Sequence, residues 1–131
     1  MSSRIRQGLV ALAACTLSVA AFAGAKSFAQ VSINDAQSQA NGDMGYVRNT
    51  ADSVQMIRCY INGSGQGQAN ANCMARNSAG VTRSCSTNYD RWLTIIASIT
   101  SDSNILFRWN ADGRCTMIIV DNSSTFAPKQ P

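Results

Sequence analysis

The sequence contains no histidine and no glutamate; its seven acidic side chains are all aspartate. Without histidine, a His-based catalytic triad, a His-ligated zinc site and an HExxH helix are excluded. Without glutamate, a Glu general acid is excluded as well. No cysteines are spaced as CxxC, and the single Gly-rich stretch lacks the lysine of a phosphate-binding loop. The arginines are scattered singly rather than gathered into a basic stripe, so a nucleic-acid partner is not expected. No cofactor or metal is expected either. What remains is a chain of 131 residues, long enough for one domain, with a formal net charge of +4.

Residues 1–29 read as a secretory signal peptide. Arg4 and Arg6 form a positive start, and Gly8 to Ala25 then runs for eighteen residues without a charge. Two small-x-small cleavage patterns follow: Ala21-Phe22-Ala23 before Gly24, and Ser27-Phe28-Ala29 before Gln30. The expected address is therefore secreted or periplasmic. Leu12-Ala13-Ala14-Cys15 offers a second reading, a lipobox with lipidated Cys15, which is the one route to a membrane. Against it, Thr16 to Phe22 continues the apolar run where a lipoprotein carries a polar tether. Beyond residue 29 the chain holds eight basic and seven acidic side chains, a net +1. The basic character of the whole belongs largely to the leader.

Cysteine usage supports the same address. With Cys15 set aside, Cys59, Cys73, Cys85 and Cys115 remain, an even number in an exported chain of this size. Their spacings of 14, 12 and 30 residues, without histidine, point to disulfides rather than zinc. Asn77-Ser78-Ala79-Gly80 has the pattern of a type I turn closed by a left-handed glycine. With a three-residue loop Asn77 faces Val81, and counting outward sets Cys73 opposite Cys85. Opposed residues of an antiparallel pair lie about 4.5–5.5 Å apart, within disulfide reach. The expected bridges are thus Cys73–Cys85 and, by elimination, Cys59–Cys115. Each contributes roughly 3 kcal/mol by constraining the unfolded chain.

The elements beyond residue 29 are read from periodicity and turn chemistry. Residues 30–44, rich in Gln, Ser, Asn and Ala, read as a flexible arm. Gly45 to Asn49 reads as a short edge strand, and Val54 to Ile61 as a strand with Ile57, Cys59 and Ile61 on one face. Asn70–Arg76 and Val81–Ser86 flank the first turn. A helix is expected over 88–99, opened by a loose capping box at Thr87 and Asp90, with Trp92, Ile95, Ile96 and Ile99 on one face. Ile105, Phe107 and Trp109 then alternate, Asn110-Ala111-Asp112-Gly113 repeats the turn, and Cys115, Met117 and Ile119 alternate after it. With Ile57, Ile61, Leu93 and Ile96 these form the expected core. The sum is an α+β domain over 45–126, an antiparallel sheet of about five strands with one short helix, followed by a loose tail over 127–131.

These features resemble a group of short, uncharacterised secreted bacterial proteins. The likeness rests on Gly45-Tyr46-Val47-Arg48-Asn49, on Cys73-Met74-Ala75-Arg76 with Gly80 and Cys85, and on Phe107-x-Trp109-x-x-x-Gly113-x-Cys115 leading into Asn122-Ser123-Ser124. The resemblance implies secretion and a shared fold; no activity comes with it.

Asp90, Asp102 and Asp112 read as helix-start and turn residues, and Asp35 and Asp43 fall in the arm, so an Asp-dependent hydrolase is the weakest reading. No serine has an activating partner in sight. A non-enzymatic binding or interaction module is the stronger class. Its candidate recognition loop is Asn62, Gly63, Ser64, Gly65, Gln66, Gly67 and Gln68, the longest uncommitted stretch. No helix follows Gly63-x-Gly65-x-Gly67, which separates it from dinucleotide-binding motifs. Inhibition of an extracellular hydrolase through this loop is the alternative; the expected partner is a protein or an envelope or extracellular polymer. For such a polymer, Tyr46 and Tyr60 join the loop's amides as candidate contacts.

Overall fold

The computed structural model describes residues 26–65, 67–126 and 128. Among the described residues seven strands form two antiparallel sheets. One holds β1 (Ser32–Asn34), β2 (Gln39–Asp43), β6 (Asn104–Trp109) and β7 (Cys115–Asp121), in the order β1-β2-β6-β7. The other is β3 (Met56–Asn62), β4 (Asn70–Arg76) and β5 (Thr82–Thr87), in sequence order. Helix α1 (Met44–Asn49) links the sheets, and α2 (Asp90–Ala97) packs beside β7, β3 and β4. The α+β class read from the sequence holds, with the strands divided over two sheets. The core is Val31, Ala40, Ile57, Ala71, Cys73, Ala75, Cys85, Ile96, Ile105, Phe107 and Ile118, with Val47 at its edge.

The segment 30–44, expected to be a flexible arm, is instead structural. Ser32–Asn34 pairs with Gln39–Asn41, and β2 pairs along its full length with β6. A 3-10 turn at Asp35–Gln37 reverses the chain, with the Asn34 side chain accepting from Gln37 N–H at 3.1 Å. Ser38 takes φ 47, the one positive value at a non-glycine among the described residues, and its carbonyl accepts from Trp109 N–H at 3.0 Å. The small residues that resemble a disordered composition serve close packing. Ala40 is fully buried, and a Cβ on Gly42 would lie 3.3 Å from Val31 Cα and 3.4 Å from Ile57 Cδ1. Larger side chains would hold β2 away from its neighbours.

Residues 45–49, expected as an edge strand, lie in helix α1. Asp43, fully buried, starts it: one carboxylate oxygen accepts from Gly45 N–H at 3.0 Å and Tyr46 N–H at 3.2 Å. The helix expected over 88–99 is present as Asp90–Ala97, with Ile96 buried and Trp92, Leu93, Ile95 and Ile99 against the core. Its capping box is not formed. Thr87 is buried, and its hydroxyl accepts from Tyr89 N–H at 3.1 Å, one position short of Asp90.

Both Asn-x-x-Gly turns form as read. Asn77 and Val81 face each other across Ser78-Ala79-Gly80, and Asn110 and Arg114 across Ala111-Asp112-Gly113. Gly80 at φ 80 and Gly113 at φ 70 take the left-handed conformation. The register of β6–β7 differs beyond its turn. Trp109 opposes Cys115, but Arg108 opposes Met117, Phe107 opposes Ile118 and Ile105 opposes Val120. Thr116 is an extra residue, a β-bulge that flips the rest of β7. Ile118 is therefore buried and Val120 faces the core, while Ile119, an expected core residue, is 48% exposed and Met117 sits on the outer face. Ile61, also expected inside, is 41% exposed at the end of β3.

The disulfides are Cys59–Cys73 and Cys85–Cys115, so the expected Cys73–Cys85 and Cys59–Cys115 pairing is corrected. Cys73 does oppose Cys85, but it opposes Cys59 as well, on the other side of β4. The phase of the ladder decides between them. In an antiparallel sheet a residue exchanges hydrogen bonds with one neighbour and meets the other as a closer, non-bonded pair. Asn77 N–H donates to Val81 O, which makes Asn77/Val81 a bonded pair; counting by twos makes Ala75/Arg83 and Cys73/Cys85 bonded pairs too. Cys59/Cys73 is then the close pair, with Cα atoms 4.0 Å apart. Cys85 reaches the other sheet instead, where Ser86 N–H donates to Gly113 O at 2.9 Å and brings Cys115 to a Cα distance of 4.9 Å.

Candidate functional site

The loop singled out in the sequence connects β3 to β4, at the end of the three-stranded sheet. Asn62, Gly63, Ser64, Gly65, Gly67 and Gln68 are all exposed; Gln66 lies outside the described residues. Gly67 N–H donates to Ser64 O at 3.3 Å, and Gly65 takes φ 59, a left-handed value suited to a tight reversal. The base of the loop is held by side chains. Gln68 Nε2 donates to Asn88 O at 2.9 Å, and Asn88 Nδ2 donates back to Gln68 Oε1 at 3.4 Å. Arg114 Nη2 donates to Asn88 Oδ1 at 2.8 Å. Gln68 O also accepts from Asn70 Nδ2 at 3.3 Å.

This chain joins three separate stretches: the loop, the β5–α2 junction and the β6–β7 turn. Arg114 precedes Cys115, and Asn88 lies three residues after Cys85, so the loop base rests on the ends of an inter-sheet disulfide. Asn88 and Arg114 carry no signal in the sequence, because only the folded register brings them to Gln68. Beside the loop, the face of β3 opposite its cysteine presents Tyr60, 44% exposed, with the Arg58 guanidinium 5.4 Å from its ring centroid. Tyr46, the other tyrosine considered for ligand contact, belongs to α1, with its ring 5.7 Å from that of Phe28.

Asp35, Asp43, Asp90, Asp102 and Asp112, together with Asp52, occupy structural positions. Asp35 binds Arg83 through both carboxylate oxygens, at 2.8 and 2.7 Å, which raises the guanidinium further above its ordinary value. Asp43 caps α1, and its second carboxylate oxygen is buried without a hydrogen bond. Asp52 accepts from Val54 N–H at 2.6 Å and from Gln55 N–H at 2.8 Å. Hydrogen bonds from the Gln55 side chain, then from the Gln55 and Val54 backbone, hold its carboxyl below the usual carboxylate range. Asp90 lies in the first turn of α2, and Ser101 Oγ donates to Asp102 at 3.0 Å. Asp112 lies in the β6–β7 turn, its N–H bonded to Asn110 Oδ1 at 3.1 Å. Among the described residues no three His, Cys, Asp or Glu side chains gather as metal ligands.

An open groove of about 440 Å³ lies elsewhere, with Lys26, Thr100, Asp102, Asn122, Phe126 and Pro128 in its walls. Two of these wall residues are tied to the core: Ser103, fully buried, bonds Asn122 through its hydroxyl and accepts from Thr100 N–H at 2.8 Å. Among the described residues no helix is long and apolar enough to cross a membrane. The chain forms a small disulfide-bonded domain; no protein-family model, curated protein or solved structure matches it.

Proposed function

We propose that this is an exported, non-enzymatic binding module that presents the loop 62–68, with Tyr60 and Arg58 beside it, to a protein or polymer outside the cytosol. The observation that carries this reading is the hydrogen-bonded chain from Gln68 through Asn88 to Arg114. The chain ties the loop base to the β5–α2 junction and to the β6–β7 turn. Here the base is fixed to a disulfide-linked frame, while the three glycines leave the tip free to shape itself to a surface. Tyr60 and Arg58 are the side-chain types that concentrate binding energy at interfaces, and the neighbouring amides add hydrogen-bonding groups. Two disulfides fit the oxidising address that the leader specifies.

The test is co-sedimentation with isolated cell-envelope polymer, together with capture of a panel of secreted hydrolases. The intact protein is compared with a form lacking Gly63–Gly67 and with Tyr60→Ala. Retention that falls at least tenfold in both variants supports the reading. Capture of a hydrolase with loss of its activity makes the module an inhibitor. Retention unchanged in both variants, or no retention at all, overturns it.

A further inference from the structure

We infer that the leader is removed after Ala23, leaving Gly24 as the first residue of the mature protein, and that residues 26–29 belong to the folded domain. The inference rests on the export reading above and decides between its two cleavage patterns. As sequences the two are equivalent, each with small residues at the first and third positions before the cut. Their products differ in what they can fold.

The stretch between the two cuts is built into the domain at each of its last four residues. Lys26 Nζ donates to Ser124 O at 3.3 Å. Ser27 forms a parallel bridge with Phe126, its N–H donating to Thr125 O at 2.7 Å. The Phe28 ring sits 5.7 Å from that of Tyr46 on α1. The carbonyl of Ala29 accepts from the N–H of Asp43 at 3.0 Å.

The last contact matters most. Asp43 is fully buried, and its side chain starts α1. Cutting after Ala29 deletes the acceptor of this buried N–H, and an orphaned buried donor costs the desolvation that its hydrogen bond had repaid. The same cut strips the Lys26 side of the groove. Cutting after Ala23 does none of this. It leaves nine basic side chains against seven aspartates, a mature net charge of +2.

The experiment expresses the full chain with its own leader in a secreting bacterium and measures the intact mass and N-terminal peptide of the exported protein. A chain starting at Gly24 is expected, and Ala29→Asp is expected to leave that start in place while Ala23→Asp abolishes it. A chain starting at Gln30, or one lipidated at Cys15, overturns the inference and leaves export standing. An unprocessed chain retained in the cytosol overturns both. As a second measurement, oxidised chains beginning at Gly24 and at Gln30 are unfolded by heat. The shorter is expected to melt lower by about 5 °C or more, and equal melting temperatures overturn the structural role of residues 26–29.

Discussion

Hairpins β4–β5 and β6–β7 share one turn, an Asn-x-x-Gly sequence closed by a left-handed glycine, yet they continue differently. In the first, pairs run without a break from Arg76/Thr82 to Ala71/Thr87. In the second, Thr116 bulges one residue beyond the first strand pair. The difference follows from what each returning strand must satisfy. β5 has to place Cys85 and Thr87 inward, two residues apart, and a regular pleat does that. β7 has to direct Cys115 toward Cys85 and Ile118 into the core, three residues apart, which a regular pleat cannot do. One extra residue reconciles them. A turn motif therefore fixes how a hairpin starts, and the bonds and packing of the returning strand fix how it continues.

The largest expected effect tests the bond that sets this conflict. Replacing Cys85 and Cys115 together by Ala removes a crosslink of sequence separation 30, worth about 3.6 kcal/mol in the chain-entropy model. The Cys59→Ala, Cys73→Ala double variant opens a separation of 14 and is expected to lose about 3.0 kcal/mol. Denaturant unfolding of both measures the difference, and a larger loss for the latter breaks the comparison. The bulge is tested next by neighbouring residues of identical type. Ile118→Ala is expected to cost roughly 3 kcal/mol and Ile119→Ala well under about 1 kcal/mol, in the same assay. Reversal of that order would restore the unbroken register.

A smaller effect tests what the hairpins share. Gly80→Ala and Gly113→Ala each force a side chain into the left-handed region with open space around it, so each is expected to cost about 1 kcal/mol, and the two costs should agree. Unequal costs would show that the bulge strains its turn. The smallest effect lies outside both hairpins, in the loop before β3. The carboxyl of Asp52 titrates below its unfolded value, so its contribution to stability is complete above the ordinary carboxylate range and is lost as pH falls through the depressed folded value. An NMR titration of Asp52 with a midpoint at or above the ordinary value would contradict the hydrogen bonds drawn to it.

Features fixed by nearby residues were legible in the sequence. Both turns and the buried face of α2 depend on residues within a few positions of each other. The bulge was not legible because Met117, Ile118, Ile119 and Val120 are all apolar, so either register buries a plausible face. The N-terminal segment looked disordered because Ala40 and Gly42 are small, and smallness marks both mobile chain and tight sheet packing. Helix α1 does carry a sign in the sequence, Asp43 placed as an N-cap before Met44. The cysteine partners were also within reach, since the hydrogen-bonded pair at Asn77 and Val81 sets the phase at Cys73. Of the candidate site, the loop itself was visible, but its anchors Asn88 and Arg114 are brought to it by the fold alone.

Trypsin digestion of the oxidised protein without reduction tests the ladder phase most directly, because cleavage after Arg58, Arg76, Arg83, Arg91, Arg114 and Lys129 separates the two pairings. A peptide 59–76 closed by its own disulfide, with 84–91 joined to 115–129, is the predicted result. All three peptides held in one crosslinked species would contradict it.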